Sequence, residues 1–160
     1  PTTEANLGDG LIDAITFIEL GGRLGIGTDA HVRIDAAEEL RWLEYGQRLR
    51  RGARTLLAEP GGSTGNRLLR VAAQGAQASM GRNAGSLMPG MRADIVALDA
   101  NHPLLASRSG DQCLDAWIFS GDSRLVRDVW VGGRRVVADG VHRSRERICR
   151  RFERALAELA

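Results

Sequence analysis

The sequence predicts an α/β fold, and three observations carry the prediction. Apolar residues recur at helical spacing on both sides of a short apolar run, Arg23 to Gly27, giving the order helix, strand, helix. Beyond about residue 81 the pattern shortens into strand-like runs, Ala93 to Asp99, Leu125 to Val131 and Arg134 to Val137. Gly132-Gly133 stands between the last two as a hairpin signal. A chain of 160 residues can bury one ordinary core. One clear strand in the first half is too few for a sheet. The chain also opens on Pro1-Thr-Thr-Glu-Ala-Asn, which reads like the end of an element already under way. The expectation is therefore a piece of a larger α/β protein.

Taken in order, Pro1 to Gly10 is expected to be a loop, with Asn6, Gly8, Asp9 and Gly10 as breakers. Leu11 to Leu20 carries Ile12, Ile15, Phe17, Ile18 and Leu20 and reads as a helix stopped by Gly21-Gly22. After the Arg23 to Gly27 strand, Asp35 stands three residues before Glu38, a capping-box arrangement for a helix from Ala36 to about Arg51. Leu40, Leu43 and the edge of Gln47 mark its inner side, and Gly52 ends it. Asn66 to Met80 is helical through Leu68, Leu69, Ala72, Ala73 and Ala76, with Gly81 as its stop. The strand runs follow, Gly140 closes them, and Ser144 to Leu159 forms a last helix with Ile148, Phe152, Leu156 and Leu159 on one face.

Composition excludes several functions. The two cysteines, Cys113 and Cys149, are far apart and lack metal-type spacing, so a disulfide framework is not expected. Every basic residue other than histidine is arginine, so neither Schiff-base chemistry nor a phosphate-loop lysine is available within these residues. A net charge of +2 is too small to imply nucleic acid. The arginines between Arg143 and Arg154 alternate with Glu146 and Glu153, as on a solvated helix face. No signal peptide or membrane-crossing run is present in the sequence, so a cytoplasmic location is the default expectation.

The chemistry concentrates in Gly27-Thr-Asp-Ala-His31. In an extended segment residues two apart share a face, which would aim Asp29 and His31 the same way from a strand end. The carboxyl end of a parallel strand is where α/β folds build their sites. There Asp29 would ligate a metal or act as a general base, unless it only caps backbone amides of the loop. Asp-x-His is at most a fragment of a metal site, since zinc takes three or four protein ligands. Gly25-x-Gly27-x-x-Ala30 matches a dinucleotide pattern in letters, but a polar loop follows where the helix should begin. Ser120 and Ser123 have no local histidine to activate them.

Four stretches carry a resemblance. Gly-Ser-Leu-Met-Pro-Gly-Met-Arg-Ala-Asp-Ile-Val-Ala-Leu-Asp, Gly85 to Asp99, resembles the carboxyl-terminal signature of the amidohydrolase superfamily. The run Val126 to Gly140 is similar to the strand pair that follows it there. Pro1 to Gly10 and Glu38 to Leu49 resemble, within that superfamily, the formimidoylglutamate deiminase family. The resemblance implies the last two units of a metal-dependent (β/α)8 barrel over residues 1–81. It further implies the trailing strands of a small β-sandwich domain over 82–142 and a C-terminal helix over 143–160.

The same resemblance implies zinc-dependent hydrolytic deimination of N-formimino-L-glutamate to N-formyl-L-glutamate and ammonia, in histidine degradation, by a homodimer. Carried over to this sequence, Asp29 would be both a zinc ligand and the proton-transferring catalytic residue at the end of barrel strand eight. Glu4 and Asn6, at the end of strand seven, and His31 would line the site or contact its ligands. The remaining zinc ligands, the His-x-His and the other histidines of the family pattern, are not in this sequence. The 160 residues alone are therefore expected to be inactive. Two other readings stay open: a related zinc aminohydrolase acting on a heterocycle of the guanine, cytosine or triazine type, and a metal-free lookalike without catalysis. No nucleic-acid or membrane partner is expected.

Overall fold

The computed structural model describes residues 1–159. Six helices and one small sheet make up the fold: α1 Thr2–Leu7, α2 Ala14–Glu19, α3 Ala36–Arg51, α4 Thr64–Met80, β1 Ile95–Leu98, α5 Asp111–Ser120, β2 Val126–Val131, β3 Arg134–Ala138, β4 Val141–His142 and α6 Arg145–Leu159. Single 3-10 turns occur at Pro103–Leu105 and Ser123–Leu125.

Helix α3 starts where its cap requires. The Asp35 carboxylate accepts from the amides of Ala37 and Glu38, at 2.9 and 3.3 Å, and so satisfies donors that the first turn leaves free. Its other oxygen accepts from the Ser123 amide at 2.9 Å, tying the helix start to a distant turn. Glu38 turns outward to Arg33 instead of closing a capping box. Gly52 ends the helix with φ +64. Leu40, Leu43 and Gln47 are buried as expected. Helix α4 begins two residues earlier than its periodicity indicates, because Ser63 accepts from Asn66 N at 3.0 Å.

Three expectations are corrected. Pro1 to Gly10 is not all loop: Thr2–Leu7 forms a short helix ended by Gly8 at φ +77. The helix expected over Leu11 to Leu20 is shorter, because the Asp13 carboxylate accepts from Thr16 N and sets its start. Ahead of it, Gln47 of α3 accepts from Ala14 N and donates to Ile12 O, holding the entry to α2 against α3. The run Arg23 to Gly27 is not a strand here. Strand pairing needs a neighbour, and among the described residues the only sheet is β1-β2-β3-β4. The run instead lies along α4. A side chain added at Gly75 would fall 2.2 Å from the Leu24 carbonyl oxygen, so only glycine permits that approach.

Helix α5 has no counterpart in the periodicity analysis. It packs against α3 and α4 and brings Ala116, Trp117 and Ile118 into the same core as Leu40, Leu43 and Leu68. Polar contacts fix it there. Arg41 of α3 donates to the carbonyls of Ile118 and Gly121, and Asp115 accepts from Gly65 N at 2.7 Å.

The sheet is an antiparallel meander in the order β1-β2-β3-β4. The expected hairpin forms at Gly132 and Gly133, whose φ values of +56 and +77 suit the turn that a two-residue β connection needs. Asp128 is the buried acid of the sheet. It accepts from Arg127, from Arg135 and from the amide of Asp139. The Arg135 and Arg127 guanidinium groups hold its carboxyl at about 2, below the usual carboxylate range. Helix α6 carries the expected apolar stripe, but none of its residues is buried.

Candidate active site

Asp29 lies in a tight turn, not at the end of an extended strand. The amide of His31 donates to the Thr28 carbonyl at 2.8 Å and closes it. Asp29 has φ +37 and His31 φ +55, both in the left-handed region. Non-glycine residues are uncommon there, and aspartate and histidine are among the types that adopt it most readily. The expectation that Asp29 and His31 share one face of a strand is thereby replaced. The turn exposes both side chains, and their relation is set by its dihedrals.

The surroundings that hold the turn come from α1. Thr3 is buried, and its hydroxyl accepts from the Ala30 amide at 3.2 Å while it donates toward the Thr28 carbonyl at 3.4 Å. One hydroxyl thus bonds to the residues on both sides of Asp29. The helix is itself anchored, because the Thr2 amide and hydroxyl donate to the carboxylate of Glu39, a buried residue of α3. Sequence reasoning passed over both threonines. The signal was their position directly before Glu4 in a segment taken for a loop.

Glu4 and Asn6 lie on α1 with exposed side chains. Glu4 lines an apolar cavity of about 160 Å³ together with Leu11, Ile12, Leu24, Ile26 and Trp42. Asp29, Asn6 and His31 are not among the residues lining it, so the four candidates are not gathered into one enclosed pocket. They remain on two adjoining segments tied together by Thr3.

As a metal site these residues supply one corner. The exposed Asp29 carboxylate has the donor chemistry of a ligand for zinc, which accepts carboxylate oxygen. Among the described residues no group of three or more His, Cys, Asp or Glu side chains could hold an ion. The residues present fit such a metal only as contributors of a single ligand.

Comparison with known proteins decides the family. The model of the amidohydrolase family matches residues 1–136. The chain belongs to this family. It is 50% identical over 159 residues to formimidoylglutamate deiminase of Pseudomonas aeruginosa, covering 99% of the chain and 35% of that protein. It is 29% identical over 146 residues to 5-methylthioadenosine/S-adenosylhomocysteine deaminase of Bacillus cereus, covering 88% of the chain and 32% of that protein. The crystal structure of an amidohydrolase from Brucella melitensis superimposes with a TM-score of 0.89 at 44% identity, covering 99% of the chain and 35% of that structure. This amidohydrolase chain therefore spans about a third of the length of the relatives it matches. Amidohydrolases generally use a metal, commonly zinc. Among the described residues no helix is long and apolar enough to cross a membrane.

Proposed function

We propose that this chain forms part of a formimidoylglutamate deiminase, which hydrolyses N-formimino-L-glutamate to N-formyl-L-glutamate and ammonia. The observation that carries the reading is the identity of 50% to a formimidoylglutamate deiminase across nearly the whole chain, against 29% to a deaminase named for adenosine compounds. Residues 1–81 would be the last two units of a (β/α)8 barrel. Residues 82–142 would be the trailing part of the small β-sandwich domain, with α5 folded back onto the barrel helices, and 143–160 the C-terminal helix. The intact protein would be a cytoplasmic homodimer acting in histidine degradation.

In this reading the 28–31 turn closes the end of barrel strand eight, and Asp29 faces the reacting atoms. Zinc, where bound, supplies a water of lowered pKa. The oxygen of water adds to the formimino carbon, and the C=N bond becomes a single bond at a tetrahedral centre. The Asp29 carboxylate accepts a proton from that water and returns it to the terminal nitrogen. The hydroxyl proton of the tetrahedral centre then passes by way of the same carboxylate to that nitrogen as the carbon–nitrogen bond breaks, so that ammonia leaves and the formyl carbonyl remains. One water is consumed for each ammonia released. His31, Glu4 and Asn6 would line the approach to this centre, exposed on the two segments that Thr3 ties together.

The test is product identification with the full-length polypeptide. N-formimino-L-glutamate should yield N-formyl-L-glutamate and ammonia in equal amounts by proton NMR and an ammonia assay, and chelation of the metal should stop the reaction. Absence of N-formyl-L-glutamate from an enzyme that is folded and metal-loaded would refute the assignment. A folded full-length protein with no bound metal would instead support the non-catalytic lookalike.

A further inference from the structure

The hydroxyl of Thr3 spans the backbone on both sides of Asp29, and that placement has a functional consequence. We propose that Thr3 is a positioning residue: it holds the 28–31 turn in the one backbone state that presents the Asp29 carboxylate to the reaction. The proposal rests on the reading of Asp29 as the acidic residue of the site.

Three observations support it. Asp29 has φ +37, a conformation uncommon for a non-glycine residue, so a shift of the turn to the ordinary negative-φ region would re-aim its side chain. The backbone turn contributes its own bond from His31 N to Thr28 O, but that bond leaves the Ala30 amide free. Thr3 takes that amide and returns its own proton to Thr28 O, so donor and acceptor roles are both used on a single buried oxygen. Thr2 prevents the strap from drifting, because its amide and hydroxyl both donate to Glu39, which is 1% exposed on the long helix α3. The line of connection runs from α3 through α1 to the turn. Threonine is required for its hydroxyl. Valine has the same shape and would keep the packing while losing both bonds.

The decisive experiment compares Thr3→Val and Thr3→Ser in the full-length polypeptide, alongside Asp29→Asn. Thr3→Val should lower kcat by roughly 10- to 100-fold, the scale of a misplacement of about 1 Å, with KM held within about twofold. Thr3→Ser should return kcat to within about threefold of wild type, since it restores the oxygen. In the Asp29→Asn background, Thr3→Val should cost less than about twofold more, because there is no carboxylate left to place. A merely structural threonine would lower thermal stability and yield while leaving kcat per folded molecule unchanged.

Wild-type hydrogen exchange provides a readout that needs neither turnover nor a variant. The Ala30 amide should exchange at least about tenfold more slowly than an unprotected amide. Unprotected exchange at Ala30, wild-type kcat in folded Thr3→Val, or a Thr3→Ser protein as impaired as Thr3→Val would each overturn the proposal. If Thr3→Val does not fold, Thr3→Ser and the Ala30 exchange rate decide it. Near-normal turnover by Asp29→Asn would instead remove Asp29 from the mechanism, and an Ala30 amide still protected in that protein would show that the strap itself is intact.

Discussion

The two ends of the molecule are built on different principles. Across the helical region, polar groups from α1, α3 and the loops are joined to one another: Thr3 to Thr28 and Ala30, Thr2 to Glu39, Gln47 to Ile12 and Ala14, Asp35 to Ser123. Glu44 of α3 likewise accepts from the amides of Leu56 and Leu57 at 3.0 and 2.9 Å. At the other end, Asp128 is the one buried acid of the sheet, strands β1, β2 and β4 expose Val96, Val131 and Val141, and α6 buries nothing. Networks of satisfied polar groups fix geometry more narrowly than apolar contact does. The polar ties of the helical region are spread over several segments, the Asp29 turn among them, whereas those of the sheet converge on the single carboxylate of Asp128.

If that contrast is sound, variants at the two ends should differ in kind as well as size. Asp29→Asn has the largest expected effect: turnover of the full-length polypeptide should fall about 10²- to 10⁴-fold, the usual weight of a positioned proton-transfer group. Its fold should survive, because the side chain is exposed, and circular dichroism together with thermal melting checks this. Ile118→Ala should cost about 2–5 kcal/mol by denaturant unfolding, since Ile118 is fully buried where α5 meets the core. A loss under about 1 kcal/mol would mean that α5 does not belong to the core of the helical region.

A paired glycine experiment sharpens the same point at a smaller scale. Gly75→Ala should destabilise by about 1–3 kcal/mol, because its Cβ would meet the Leu24 carbonyl at 2.2 Å and push the turn-bearing segment away from α4. Gly25→Ala, facing the same helix, should be nearly neutral, since its nearest neighbour would be Ala76 N at an ordinary 3.5 Å. The unfolding midpoints of the two variants give the comparison directly.

The sheet end should respond to acid. Asp128 is held at about 2 in the folded protein against an ordinary 3.8. A folded-state value below the unfolded one adds stability above pH 3.8, and that contribution is lost as the pH falls toward about 2. Wild-type stability should therefore decline across that window, and Asp128→Asn should be less stable near neutrality with a flatter acid profile. The smallest effect belongs to α6. Phe152→Ser should shift the stability of the chain by less than about 0.5 kcal/mol, because Phe152 is 62% exposed on a helix without a buried residue.

The sequence disclosed those parts whose determinants are local. Asp35 and Gly52 bound α3, Gly132-Gly133 makes the hairpin, and the stripe from Ile148 to Leu159 defines α6. Helix α5 escaped because Asp-Gln-Cys-Leu-Asp-Ala-Trp-Ile-Phe-Ser is short, nearly continuous in apolar residues after Asp115, and starts at Gly110 without a side-chain cap. Its helicity comes from packing on α3 and α4. Helix α1 escaped for a related reason, being six residues long and anchored through Thr2 and Thr3 to partners more than twenty positions away. Asp29 was legible as a residue but not as a geometry. Its left-handed backbone lies in a turn bonded on both sides to Thr3, which no local pattern connects to it.

The central claim, that this turn serves a deiminase of formiminoglutamate, is tested most directly by substrate selectivity. The measurement is kcat/KM of the metal-loaded full-length polypeptide for N-formimino-L-glutamate, 5′-methylthioadenosine and guanine, followed by ammonia release under identical conditions. N-formimino-L-glutamate should be preferred by at least about 10³-fold over both heterocycles, as expected when a polar site meets a substrate that cannot satisfy it. Equal or higher kcat/KM for either heterocycle would contradict the central claim.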